Sequence, residues 1–98
     1  MRVAFSDLAR QDLRSIAVFI AQDSPASARR FVAELEQACL SLADKPLRYP
    51  LIPEFEQQGF RRRPHGNYAI IYVVDAAALS VVRVLHAAMD IDAALSGT

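Results

Sequence analysis

At 98 residues, with 53% of them hydrophobic, the chain supports one core and leaves little room for an enclosed active-site cavity. Its 11 Lys and Arg balance 11 Asp and Glu, so bulk electrostatics give no case for nucleic-acid binding. The single cysteine, Cys39, excludes an internal disulfide and a cysteine-based zinc site. No apolar run approaches a membrane span and the N-terminus carries no signal-peptide pattern, so the expected location is the cytoplasm.

Met1 to Phe5 is a short apolar stretch that reads as an edge strand. Ser6 supplies an N-cap oxygen and Asp7 suits the positive end of a helix. Ala9, Leu13, Ile16, Ala17 and Ile20 then recur at helical spacing, with Arg10, Gln11 and Arg14 mostly on the other side. Ser24-Pro25 restarts the pattern: an N-cap, then proline at a position that needs no N–H. Ala28, Phe31, Val32, Leu35, Cys39 and Leu42 form the second stripe. Cys39 lies inside it and reads as a packing residue. The short link predicts an antiparallel helical hairpin.

Lys45 to Gly59 carries Pro46, Pro50 and Pro53 and reads as a connecting segment, ordered in part by Tyr49, Leu51, Ile52 and Phe55. Three strands follow. The first holds Arg61, Arg62 and Arg63. The second, Tyr68 to Val74, is apolar on both faces and therefore central. The third, Leu79 to His86, is joined to it by a tight loop. Simple alternation puts Val82, Val84 and His86 on one face, and Val81, Arg83 and Leu85 on the other. Asp90 to Leu95 suggests a final helical turn.

The expected fold is α+β, a single domain over residues 1–98 in the order β-α-α-β-β-β. The helical hairpin covers one face of a small antiparallel sheet. Nothing obvious covers the other, so apolar residues there are expected to meet a partner.

Three uses remain open for Arg61, Arg62 and Arg63: binding phosphate through bidentate guanidinium contacts, guarding an edge strand against aggregation, or docking acidic side chains of a protein. Arg83 lies between apolar neighbours on an inner strand and must be paired or meet a partner. His86 has the chemistry of a general base, though a strand-end histidine more often has a structural hydrogen bond. Asp90 suits a cap or an arginine partner, and His65 a solvated turn. No metal set, phosphate loop, nucleophile elbow or dinucleotide fingerprint is present, so no cofactor is expected.

Phe60-Arg61, the Tyr68 strand, Val82-Arg83-Val84-Leu85-His86 and Met89-Asp90-Ile91-Asp92 together resemble the ParE branch of the RelE/ParE toxin superfamily. Leu8 to Leu13, Ile16 to Ile20, Pro25-Ala26, Ala28 and Leu42 ahead of Pro46 extend the resemblance over nearly the whole chain. It implies the fold above and a toxin of a bacterial type II toxin–antitoxin module. RelE-type members cut messenger RNA on the ribosome; ParE-type members poison DNA gyrase.

RelE-like nucleases place lysines before the arginine strand, an arginine after the last strand and a tyrosine in the closing segment. This chain has Glu54 and Glu56, Met89 and Leu95 at the corresponding places, and only Arg61 matches. The resemblance therefore implies a non-enzymatic, ParE-like gyrase inhibitor, neutralised by a ParD-like, ribbon-helix-helix antitoxin whose flexible segment folds on the toxin. Contact with DNA would be indirect, through antitoxin or gyrase. Arg61, Arg62, Arg63, Arg83, His86 and Asp90 are the candidate antitoxin- or target-binding residues. The alternatives are a ribosome-dependent RNase using Arg61, Arg83 and His86, and a non-toxic relic that only binds its antitoxin.

Overall fold

The computed structural model describes residues 1–97. Strand β1 (Arg2–Phe5) leads into helix α1 (Asp7–Ala21), and helix α2 (Pro25–Ser41) ends in a 3₁₀ turn at Leu42–Asp44. Strands β2 (Arg61–His65), β3 (Tyr68–Val74) and β4 (Ala78–His86) follow, then a short helix α3 (Ile91–Ser96). The predicted caps form. Ser6 Oγ accepts from the Ala9 N–H at 3.0 Å and Ser24 Oγ from the Ser27 N–H at 3.2 Å. Gly66, at φ 57°, occupies the left-handed region at the turn that joins β2 to β3.

The sheet order is β1-β4-β3-β2. Strands β2, β3 and β4 are antiparallel, but β1 pairs with β4 in parallel, from Arg2 opposite Ala78 to Phe5 opposite Val81. The sheet is therefore mixed, where the sequence suggested a wholly antiparallel one. Tight turns make the β2–β3 and β3–β4 pairings local and readable. The β1–β4 pairing closes almost the whole chain, and either ladder direction can satisfy the backbone groups.

A register shift between Ile71 and Tyr72 sets Val81 opposite Tyr72 and Arg83 opposite Ile71, leaving Val82 as an extra residue in β4. This bulge breaks the alternation expected for the strand. Val81 and Val84 join the cluster beneath the helices, whereas Val82 and Leu85 pack on the opposite face.

Two apolar clusters result. Ile16 of α1, Leu35, Ala38 and Cys39 of α2, and Ile70, Tyr72, Leu79, Val81 and Val84 of the sheet form the first. Burying each of its larger side chains stabilises the fold by roughly 1.5–3 kcal/mol. The Tyr72 ring is fully buried, and its hydroxyl donates to the Pro46 carbonyl at 2.8 Å. Ile52, Phe55, Ala69, Ile71, Leu85, Ile91 and Leu95 form the second cluster.

The second cluster corrects the expectation of an uncovered sheet face. The proline-bearing segment folds back beneath the sheet, with Ile52 N–H bonded to the Phe60 carbonyl at 2.8 Å, and α3 closes the far side. Glu54 takes a left-handed conformation (φ 73°) immediately before Phe55 enters this cluster.

Candidate functional site

Strand β1 ends at Phe5, so the later half of β4 has no strand beside it on that side. The start of α1 takes over. Ser6 N–H donates to the Val81 carbonyl at 2.9 Å, and Ser6 Oγ donates to the Val82 carbonyl at 2.8 Å. Nearly two turns further on, the Asp12 carboxylate receives Arg83 Nε at 2.8 Å, Arg83 Nη2 at 3.0 Å and the Val84 N–H at 2.9 Å. The hydrogen bond from Arg83 to Asp12 pushes the guanidinium further above its ordinary value.

Arg83 is thus paired, as its position between apolar neighbours required, and the partner comes from within the chain. Asp12 had no role in the sequence reading. Its signal was a lone acid between Ala9 and Ile16 on the core-facing stripe of α1, both of which are buried.

Beyond this ion pair runs a row of rings. Phe31 meets Tyr68 at 5.5 Å and His65 at 6.1 Å between centroids, and Tyr68 meets His86 edge-on at 5.2 Å. His65, expected to be a solvated turn residue, is half-buried and lies 3.4 Å from Arg63 Nη1. His86 is exposed, and its Nδ1 accepts the Ala88 N–H at 3.1 Å. That bond places the proton of the neutral ring on Nε2. A shallow groove joins His86 to Phe19 and Met89, both exposed, alongside Ser15 of α1.

The three consecutive arginines divide between the faces of β2, as strand geometry requires. Arg61 Nη1 donates to the Tyr49 carbonyl at 2.7 Å. Arg63 Nε donates to the Tyr49 hydroxyl at 3.2 Å, and the Arg63 guanidinium lies 5.5 Å from the centre of the same ring. Arg62 instead lines a proline-walled cleft with Pro50, Ile52, Pro53, Pro64 and Asp92. Asp90 caps α3, its Oδ1 accepting the Ala93 N–H at 3.1 Å.

The six candidate residues therefore do not converge on one point. Arg61 and Arg63 meet around Tyr49, Arg62 faces the opposite side, Arg83 is committed to Asp12, and Asp90 holds a helix terminus. Tyr49, absent from the candidates, is the residue that organises the arginines.

Between α1 and α2, beside Phe5 of β1, Leu13, Ala17 and Val32 line an apolar groove flanked by Arg14 and Glu36. Among the described residues no group of His, Cys, Asp and Glu could hold a metal ion, and no helix is long and apolar enough to cross a membrane.

Comparison with known proteins decides the relationship. Residues 3–91 match the family model for the ParE toxin of the type II toxin–antitoxin system parDE. The chain belongs to the ParE toxin family. The sheet with its helical hairpin is also shared with a chain of the chromosomal ParDE toxin–antitoxin system from P. aeruginosa. The TM-score is 0.74 at 17% identity, covering 88% of this chain and 95% of that one, and the likeness is one of fold. A chain of the RelBE2 toxin–antitoxin complex from Mycobacterium tuberculosis matches with a TM-score of 0.64 at 27% identity, covering 87% and 95% of the two chains. No curated protein matches the sequence.

In this ParE-family chain, the positions set against the RelE-type nuclease residues have plain structural surroundings. Leu95 is 2% exposed in the second core. Glu54 and Glu56 are solvent-exposed, as is Met89. Arg61, the single match, is tied to a backbone carbonyl.

Proposed function

We propose that this ParE-family toxin acts by binding DNA gyrase and inhibiting it, which blocks replication. On this reading it is not an enzyme, needs no cofactor and works in the cytoplasm. The observation that carries the proposal is the burial of Leu95 among Ile52, Phe55 and Ile91, where a nuclease of this fold would present a functional tyrosine. Cleavage by 2′-hydroxyl attack needs an acid, a base and cations around the phosphorane. The residues at hand are two exposed glutamates, a methionine and an arginine held by a carbonyl.

The cognate antitoxin is a ParD-like, ribbon-helix-helix protein whose flexible segment folds on the toxin, part of it as a helix in the groove of Leu13, Ala17 and Val32. The two similar structures come from toxin–antitoxin systems, which supports a partner of this kind.

Supercoiling by purified gyrase, assayed with increasing toxin, tests the target; full activity at saturating toxin would overturn it. The ribosome-dependent RNase alternative is tested by messenger-RNA cleavage in a translation extract. It would use Arg61, Arg83 and His86, yet Arg83 is held by both oxygens of Asp12. Absence of growth arrest on expression without antitoxin would point to a relic.

A further inference from the structure

A cleft of about 250 Å³ lies beneath the 3₁₀ turn, lined by Ser41, Asp44, Lys45, Arg48, Tyr49 and Arg63 among others. Three of these are cations and one is an acid. Among the described residues the sole ion pair is Arg83 with Asp12, so Lys45, Arg48 and Arg63 have no carboxylate partner within 4.0 Å. Two guanidiniums share one ring here: Arg48 lies 5.4 Å and Arg63 5.5 Å from the centre of Tyr49. These contacts hold flexible side chains in place before any ligand arrives, which lowers the entropy lost on binding.

The Tyr49 hydroxyl adds a directed donor. Its oxygen accepts the Arg63 Nε–H, and its own proton has no acceptor among the described residues. Asp44 offsets one of the three cationic groups, so the cleft keeps an excess of positive charge beside a free O–H and favours an acceptor that carries negative charge.

The ligand chemistry follows from size and surroundings. Nucleic acid binding without sequence preference relies on a long cationic track and open aromatic faces for stacking. Here the formal net charge is zero and the one aromatic ring of the cleft is engaged by guanidiniums. A space of about 250 Å³ suits one or two acidic side-chain heads.

We propose that Tyr49, Arg63, Arg48 and Lys45 form a receptor for an aspartate or glutamate side chain on an extended segment of a partner protein. The site needs only an acidic segment, whichever protein supplies it, and so goes beyond the gyrase and antitoxin assignments.

The test is fluorescence anisotropy of a labelled hexaglutamate peptide titrated with the full chain at low salt. A charge-assisted hydrogen bond contributes enough that R63Q and R48Q should each weaken binding about tenfold. Y49F, which keeps the ring and removes the donor, should weaken it by a smaller factor. R30Q carries the same charge change on the exposed face of α2 and should bind as the parent does.

Circular dichroism melting checks each variant. If R63Q unfolds, R48Q decides the matter, since Arg48 is exposed on the connecting segment. No binding by the parent, or equal loss in R30Q, would overturn the proposal. Preferential binding of an oligothymidylate or of inorganic phosphate in competition would overturn the carboxylate assignment. Growth arrest is read separately, so failure of this site leaves the toxin reading standing.

Discussion

The two faces of the sheet are covered in different ways. Beneath the helices, long regular elements meet the sheet: Leu35, Cys39, Ile70, Tyr72 and Val81 come from α2, β3 and β4 and are fully buried. On the opposite face the cover is assembled from an irregular segment and one and a half turns of helix, through Ile52, Phe55, Ile91 and Leu95. A regular element satisfies its own backbone and can devote a whole stripe to packing. An irregular cover must find backbone partners one by one, as Ile52 does at the Phe60 carbonyl. The helical side should therefore carry global stability, and the other face should open locally at lower free energy.

The largest expected effect tests the helical side. Leu35→Ala removes a fully buried side chain from the first cluster and should cost about 3–4 kcal/mol in denaturant unfolding, lowering all probes together. A loss below about 1 kcal/mol would mean that this cluster is not the stability centre.

Asp12→Ala follows closely. It leaves the half-buried Arg83 guanidinium and the Val84 N–H without their acceptor, and should cost about 3 kcal/mol. The double variant Asp12→Ala with Arg83→Ala should be less destabilised than the sum of the single variants, because the stranded charge has gone. Simple additivity would show that the pair contributes nothing as a unit.

Leu95→Ala sharpens the comparison. Its expected cost is about 2 kcal/mol, at the low end for a buried leucine because α3 is short and terminal. Amide exchange should accelerate at Ile52, Phe55 and α3 while α2 and β3 stay protected. Uniform acceleration would mean that the two faces unfold as one unit.

The smallest effect is a pH dependence. Burial pushes the Cys39 thiol up to about 12 from an ordinary 9.0. Between those values the unfolded chain has lost this proton while the folded chain keeps it. The unfolded state then binds fewer protons, so this contribution is complete below pH 9 and is lost as pH rises towards 12. The first unit above pH 9 should lower stability by about 1 kcal/mol relative to Cys39→Ser measured in parallel. Alkylation of native Cys39 near neutral pH should also be much slower than in the unfolded chain.

Local signals were legible and nearly all of them held. Ser6, Ser24-Pro25 and the 3.6-residue stripes fixed both helices, and the uninterrupted apolar run from Tyr68 marked β3 as central. The candidate site was less legible. Arg61 and Arg63 could be placed on one face of β2, but their organiser, Tyr49, sits in a segment without periodicity. Arg83 could be recognised as a charge needing a partner, whereas Asp12 lies far from it along the chain.

By itself the sequence determined the elements, their order, the helical hairpin and the local pairing of β3 with β4, because each depends on residues a few positions apart. Tertiary structure alone decided the parallel docking of β1, the Val82 bulge, the partner of Arg83 and the covering of the second sheet face. Each of these joins backbone or side-chain groups from distant parts of the chain. Which distant groups meet is set by packing and by the need to satisfy buried polar atoms, and no short window of residues records that choice.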